Sequence, residues 1–330
     1  MSERVAIILA AGQSTRMNTR MPKVLHEVCG RPMLEWVLEA CRSAGVQKHI
    51  VVVGYGKDQI VARYQGTDDV AFVEQAEQKG TGHAVMCCRH LLEGFEGQTL
   101  ILCGDAPLIR TETLKVLIEK HELERSAVTL ATAIMPDPTG YGRIVRDGYG
   151  NIQGIVEHND CDEKQLAITE VNPGYFCFQT PMLMSALDQI RPNNVKNEYY
   201  LTDALHILLH DGHKATAVTA VAAEDAMGVN NRQQLSLVGK IMQRRIQEQL
   251  MALGVTIVDP PNTWIDARAR IGQDTVIEPF TCISGAVNIG ANCRVGPFAY
   301  LHEGADVKAD SVIGVFQEIK QAVSEDRRPC

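Results

Sequence analysis

No apolar run in the 330-residue chain reaches the roughly 20 residues that a membrane span requires. The stretch 5–11 is too short for a signal-peptide core of that kind and lacks a cleavage pattern, so a cytoplasmic protein is expected. No C-x-x-C is present. The ten cysteines are scattered, and the adjacent pair Cys87-Cys88 is poor geometry for a disulfide or for two zinc thiolates. Most of them should be small buried hydrophobes. Basic charge is also short, with 32 Lys and Arg against 40 Asp and Glu, a net charge of -8. That excludes a general nucleic-acid or anionic-membrane binder, which shows a basic surface. It does not exclude a phosphate-bearing substrate, which needs only a few local cations, backbone N–H groups or a metal. The phosphate loop G-x-x-x-x-G-K-[ST] and the dinucleotide fingerprint G-x-G-x-x-G are both missing.

What is there begins with an ordinary globular composition. At 45% hydrophobic and 22% charged residues, a packed core is expected rather than disorder. The length suggests one large domain plus a smaller one, or two comparable ones. Over the first 230 residues or so, strand-like and helix-like segments alternate. RVAIIL (4–9), HIVVV (49–53), LILC (100–103) and 128–133 read as buried strands. Met33 to Cys41 has helical apolar spacing, with Pro32 suited to its start and Gly45 to its stop. This rhythm predicts an α/β domain, Rossmann-like, with a mostly parallel sheet and helices on both faces. Ligands bind such sheets beyond the carboxyl ends of the strands. Gly12 and Asp105 each follow a strand, which places both toward one crevice.

The pattern changes at residue 231. Leu235, Val238, Met242, Ile246, Leu250 and Leu253 recur at helical spacing before Gly254, predicting a linker helix over 231–253. Next comes an aliphatic residue every six positions: Ile265, Ile271, Ile277, Ile283, Ile289, Val295, Leu301, Val307 and Ile313. Neither a helix nor a strand has that period. It marks a hexapeptide-repeat β-helix over 254–318, its aliphatics stacked in a single interior column. About three triangular coils make a short solenoid with apolar surface left over, so self-association is expected. A charged tail, 319–330, follows.

The chemistry starts in the loop after the first strand. Leu9-Ala10-Ala11-Gly12 carries almost no side-chain bulk, so its N–H groups can approach an anion or a base edge. Arg16 and Lys23 add positive charge. A small-small-Gly turn alone is an ordinary turn, but L-A-A-G-x-x-T-R-M followed by P-K-V-L is far more restrictive. It resembles the loop of the sugar-nucleotide pyrophosphorylases. Further blocks in order are VEQAEQKGTGHA (73–84), CGDAPLI (103–109), DPTGYGRI (137–144), GIVEHND (154–160), NPG (172–174), EYYLTD (198–203) and GVNNR (228–232). Across about 4–316 the chain is similar to the bacterial N-acetylglucosamine-1-phosphate uridylyltransferases, the N-terminal half of the bifunctional GlmU-type proteins.

The resemblance implies a reaction and assigns residues. UTP and N-acetylglucosamine 1-phosphate would give UDP-N-acetylglucosamine and pyrophosphate. Arg16 and Lys23 would be catalytic, stabilising the triphosphate and the leaving pyrophosphate. Leu9, Ala10, Ala11, Gly12, Gln75, Gln78, Gly80, Thr81, Cys103 and Gly104 would hold the nucleotide. The amides of Gln75 and Gln78 suit the mixed donor and acceptor edge of uracil. Gly140, Glu157, Asn172 and Thr202 would hold the sugar. Asp105 and Asn230 would ligate Mg2+, an ion that takes one or two protein oxygens plus substrate phosphates. Taken alone, Asp105 reads as a turn aspartate and Glu157 as a solvated one. The attacking sugar phosphate is already ionised, so no catalytic dyad is sought among the ten histidines. The likeness to left-handed β-helix proteins suggests a trimer.

Four positions depart from the family pattern. Ser14 stands where Gly is usual, Cys103 where Tyr is common, Pro173 for Thr, and Asn159 for Lys. The bifunctional relatives continue their β-helix into an acetyltransferase. Its residues have no counterpart here, so acetyltransferase activity is expected to be absent. Two alternatives stay open. One is the same chemistry on glucose 1-phosphate or dTTP; the other is a sugar-nucleotide sensor that binds without turnover.

Overall fold

The computed structural model describes residues 3–13 and 15–320. Ser14 and the tail beyond 320 lie outside them. The chain divides into two compact units. The first runs to His26 and resumes over Met33–Gln234; the second takes in Glu27–Pro32 and the chain from Leu235 onward. The two-stranded hairpin of Glu27–Val28 and Arg31–Pro32 therefore groups with the second unit, although it interrupts the 1–230 domain expected from the sequence.

The first unit is built on nine strands: β1 Arg4–Ala10, β2 Lys48–Val53, β3 Val70–Glu74, β4 Gln98–Cys103, β5 Val128–Ile134, β6 Gly142–Arg146, β7 Ile152–Val156, β8 Glu170–Gln179 and β9 Ala215–Val221. Seven of them lie in the order β9-β5-β8-β4-β1-β2-β3, and β6 joins β8 and then β7. β1 is parallel to β2 and β4, β2 to β3, and β9 to β5. Along the seven-strand path the expected parallel sheet has one inversion, because β8 runs antiparallel to both β4 and β5, and the β8-β6-β7 branch is antiparallel throughout.

β1 shows why the runs are continuously apolar. Ala6, Ile8 and Ala10 pack into one core with Leu34, Leu38, Leu114 and Leu117. Val5 and Ile7 face the other core with Val85, Leu183, Ala204 and Leu205. Alternate residues enter opposite cores, so a strand covered on both faces needs apolar side chains at every position. Helices Met33–Ser43 and Thr111–Glu124 supply the first core, and Thr81–Cys87, Thr180–Gln189 and Thr202–His210 the second. The predicted helix ends at Ser43, with Gly45 at φ +83 as its stop. Pro173, which has no N–H to give, falls where the β8 ladder is irregular between Val171 and Tyr175.

In the second unit the linker helix runs Arg232–Ala252, its first turn belonging to the first unit. Val238, Met242, Ile246 and Leu250 are buried as the spacing predicts, whereas Leu253 lies beyond the helix and is exposed. Two buried glutamines do what aliphatics could not. Gln243 accepts from the Ile265 N–H and donates back to the Ile265 carbonyl; Gln247 donates to the carbonyls of Thr263 and Pro260. They satisfy backbone groups at the first coil, whose edge no preceding coil covers.

The repeats form three short parallel sheets, with strands paired 18 residues apart. Ile265 pairs with Ile283 and then Leu301, Ile271 with Ile289 and then Val307, Ile277 with Val295 and then Ile313. The aliphatics thus stack in three interior columns, one per side of a triangle, and not in one. Six residues make one side, so a given column repeats only after three sides. At Gly272 and Gly290 an added Cβ would meet the backbone of the next coil at 2.5 and 2.4 Å, so the coil spacing leaves no room for a side chain there.

Candidate active site

A cleft of about 300 Å³ opens beyond the carboxyl ends of β1 and β4. Leu9, Ala10, Ala11 and Gly12 line it from β1 and its loop, Cys103 and Asp105 from the end of β4, and Lys23 from the following loop. Gln75, Gln78, Gly80 and Thr81 line it from the turn after β3. Val24, Ala84 and Glu198 complete the wall; Glu198 belongs to the EYYLTD block, and no role for it was legible in the sequence.

Hydrogen bonds shape this wall. Gln78 donates to the Ala11 carbonyl at 2.7 Å, which props the loop after β1 against the turn after β3. Gln75 donates to the Gly80 carbonyl at 3.0 Å and has its amide nitrogen 3.1 Å from His83 Nδ1. Both amide nitrogens are therefore engaged with protein. The Thr81 hydroxyl accepts from the Leu201 N–H at 3.0 Å, Gly82 N–H donates to Tyr199 C=O at 2.7 Å, and Tyr199 N–H to Lys79 C=O at 2.8 Å. Residues 79–82 are thus zipped to 199–201, and two sequence blocks more than 100 residues apart form one rim. Gly80 allows it, with φ at +107 and an added Cβ only 2.6 Å from the Tyr199 carbonyl oxygen. Gly104 does not line the cleft. It is buried, its N–H goes to the Leu9 carbonyl at 3.0 Å, and it spaces Asp105 from the sheet.

At the mouth four predicted residues converge. The Lys23 ammonium donates to the Asp105 carboxylate and, at 3.2 Å, to Asn230 Oδ1. Arg16 Nη2 donates to the same Asn230 oxygen at 3.0 Å. Val229 N–H donates to the Asp105 carbonyl at 2.9 Å, which holds the two segments side by side. The oxygens of Asp105 and Asn230 face cations here. Two hard oxygen donors side by side fit an ion that completes its shell from substrate phosphates and water.

The remaining predicted residues form a neighbouring wall. Glu157, just after β7, accepts from the Thr202 hydroxyl at 3.2 Å. Burial raises its carboxyl pKa above the ordinary value, opposed by that hydrogen bond and by Lys196. Burial does the same to Asp203. Asn172 Oδ1 accepts from Gly174 N–H at 3.0 Å inside the irregular stretch of β8, and Gly140 has open space beside its Cα. A Cβ on Gly174 would lie 3.3 Å from Cys103 Sγ, so this wall abuts the cleft. Burial, chiefly, pushes the Cys103 thiol up to about 12. A thiol held neutral contributes packing and no nucleophile. Sequence reasoning missed His83, Tyr141 and Tyr175. The two tyrosine hydroxyls each donate at 3.2 Å, to the carbonyls of Ala226 and Asp225 respectively, and brace the segment that carries Asn230. Nothing in the local sequence marks them, since each sits in an apolar or turn context.

A strand-and-loop cleft with this cluster at its mouth is consistent with a nucleotidyltransferase domain, and comparison with known families shows one. Residues 6–155 match the model of the MobA-like NTP transferase domain, and residues 268–303 match the bacterial transferase hexapeptide model of six repeats, the sequence form of a left-handed β-helix. Curated relatives align over more than 270 residues, beyond the length of the first unit. The chain is 46% identical over 277 residues to the bifunctional protein GlmU of Shouchella clausii, covering 84% of this chain and 61% of that protein. It is 44% identical over 278 residues to bifunctional protein GlmU of Listeria monocytogenes (84% and 60%) and 46% identical over 272 residues to that of Pelotomaculum thermopropionicum (82% and 59%). The chain spans about three-fifths of the length of these relatives. The resemblance read from the motifs thus extends over both units. No helix among the described residues is long and apolar enough to cross a membrane.

Proposed function

We propose that the protein is a uridylyltransferase that joins N-acetylglucosamine 1-phosphate to UTP, giving UDP-N-acetylglucosamine and pyrophosphate. The observation that carries this reading is the meeting of Lys23, Arg16, Asp105 and Asn230 at the mouth of a cleft lined by the loop after β1. A phosphate oxygen of the sugar attacks the α-phosphorus in line. The new oxygen–phosphorus bond forms as the α–β anhydride bond breaks, and pyrophosphate leaves with the electron pair. The nucleophile is ionised at neutral pH, so the protein's task is positioning and charge neutralisation. Lys23 and Arg16 neutralise the triphosphate and the departing pyrophosphate. The loop 9–12 offers backbone N–H groups with no bulk in the way, and the rim formed by Gln75 and Gly80-Thr81 meets the base. Glu157, Asn172, Thr202 and Gly140 orient the sugar through its hydroxyl and amide groups. Bound to Asp105 and Asn230, Mg2+ would supply Lewis-acid stabilisation of phosphate charge.

The β-helix is proposed to drive homo-oligomerisation, and the hexapeptide class favours a trimer. Phe280, Phe298 and Phe316 stack along one corner with centroids 4.9 and 5.1 Å apart, and all three are exposed, as are Trp264 and Tyr300. So much aromatic surface in one stripe favours burial against another copy. Light scattering gives the mass directly, and a monomer at micromolar concentration would reject this part.

The decisive assay is pyrophosphate release across UTP and dTTP with N-acetylglucosamine 1-phosphate and glucose 1-phosphate, with and without magnesium. Turnover is expected with UTP and N-acetylglucosamine 1-phosphate and magnesium. Preference for another pair would keep the chemistry and change the substrates. Binding without turnover for every pair would make the protein a sensor.

A further inference from the structure

The segment that carries Asn230 is irregular. After the 3-10 turn Ala223–Ala226 the chain runs to the helix at Arg232 with no regular element, so its placement depends on individual bonds. Asp105 and Arg110 stand at the two ends of the loop between β4 and the helix Thr111–Glu124. Asp225 and Asn230 stand at the two ends of the segment opposite. Bonds tie these strips at both ends. Near the proposed metal ligands, Val229 N–H donates to the Asp105 carbonyl at 2.9 Å. At the other end, Arg110 Nε donates to Asp225 Oδ2 at 2.5 Å, and Arg110 Nη2 lies 3.6 Å from Glu224 Oε1. The Asp225 residue is 1% exposed, and its own carbonyl accepts from the buried Tyr175 hydroxyl. Neither Arg110 nor Asp225 lines the cleft.

We infer that Arg110 and Asp225 are a positioning pair, which sets the separation of Asp105 and Asn230 and thereby the affinity of the centre for metal-complexed nucleotide; this rests on the transferase reading above. Lys23 bridges the side chains of Asp105 and Asn230, and the Tyr141 and Tyr175 hydroxyls brace the far segment, but the Val229–Asp105 bond and the Arg110–Asp225 pair join strip to strip directly. Two tethers, one at each end, hold them in register. Arg110 is exposed and Asp225 buried, so the pair gains little from water-screened attraction while Asp225 bears a desolvation cost, and its value here is geometric. Partners that hydrogen-bond a metal ligand directly govern metal affinity by roughly 10- to 100-fold, and a pair that acts one step further out takes the low end of that range.

Calorimetric titration tests the pair. UTP is titrated with magnesium and, separately, with EDTA, into wild type, Asp225→Asn and Arg110→Lys. The ratio of the two affinities isolates the metal contact from nucleotide binding. Asp225→Asn is expected to reduce that ratio about tenfold while leaving metal-free UTP affinity unchanged. Arg110→Lys keeps the charge but loses the planar fork, and should fall in between. An unchanged ratio in Asp225→Asn overturns the inference, whatever happens to its melting temperature. Should Asp225→Asn fail to fold, an unchanged ratio in Arg110→Lys overturns it. A wild-type ratio of one would instead refute the metal reading on which the inference stands.

Discussion

Two glycine-to-alanine changes of identical chemistry should both weaken UTP binding, and only one of them should lower the melting temperature. Gly80 sits at φ +107 and ψ 174, a region open essentially to glycine alone, so alanine there stores about 1–3 kcal/mol of backbone strain. Its Cβ would also lie 2.6 Å from the carbonyl oxygen and 2.9 Å from the nitrogen of Tyr199. Both atoms are backbone, so no side chain can swing away, and overpacking adds about 1–3 kcal/mol. The sum is roughly 2–6 kcal/mol. Pushing the rim apart instead would break the three bonds that join 79–82 to 199–201, at about 0.5–1.5 kcal/mol each, which is a comparable cost. Gly12 has nothing within 4 Å of an added Cβ and lines the cleft. Alanine there should alter stability by less than about 0.5 kcal/mol but place a methyl group where the nucleotide binds. Thermal denaturation and UTP titration on both variants settle the matter. Gly80→Ala should melt at least ~4 °C lower, taking about 2 °C per kcal/mol as the small end of the range, and lose UTP affinity as its rim opens. Gly12→Ala should melt with the wild type and still bind UTP more weakly. Wild-type melting of Gly80→Ala would refute the packing argument, and wild-type UTP affinity of Gly12→Ala would refute the placement of the nucleotide.

Three further outcomes are expected. Lys23→Ala should lower pyrophosphate release by roughly 10²- to 10³-fold, as loss of one pre-aimed donor does, while magnesium still promotes UTP binding because Asp105 and Asn230 remain; calorimetry and a phosphate-coupled assay read the two separately. Burial raises the Glu157 pKa in the folded protein, so this carboxyl favours the fold below its ordinary value of 4.5 and disfavours it as pH rises through the raised value. Glu157→Gln should therefore gain melting temperature relative to wild type as pH rises from about 4 toward 7, yet raise the KM for sugar phosphate; a constant difference across pH would contradict the assignment. Burial lowers the His121 pKa to about 4, and its Nε2 has no hydrogen-bond partner. The unfolded chain then binds the extra proton between pH 6.5 and 4, so stability present above 6.5 is lost on acidification, roughly 3 kcal/mol for about 2.5 pH units. His121→Leu should flatten that slope in urea titrations, and an equally steep slope would count against it.

Much of the fold was legible in the residues because its signals are local. A strand covered on both faces must be apolar throughout, so β1, β2, β4 and β5 announce themselves. A coil that turns every six residues leaves a period nothing else produces. The antiparallel β8 was not legible, since strand direction depends on where a chain returns and not on what it contains. The three columns of the β-helix escaped for a related reason: the six-residue period is visible, but the 18-residue pairing exists only once the coil closes. Leu253 looked like part of the helical stripe and lies past its end.

The sequence by itself determined the elements, the repeat and the ingredients of the site: a loop without bulk, two cations, an aspartate after a strand and an asparagine far along the chain. Those follow from side-chain size, charge and periodicity, which each residue carries alone. Only the tertiary structure decided that Arg16, Lys23, Asp105 and Asn230 meet, although up to 214 positions separate them in pairs that touch. It also decided that Gln75, Gln78 and Thr81 brace the cleft wall with their polar groups, and that Gly104 serves the sheet. Hydrogen bonding is satisfied by whatever partner the fold brings near, and that partner cannot be read from either residue.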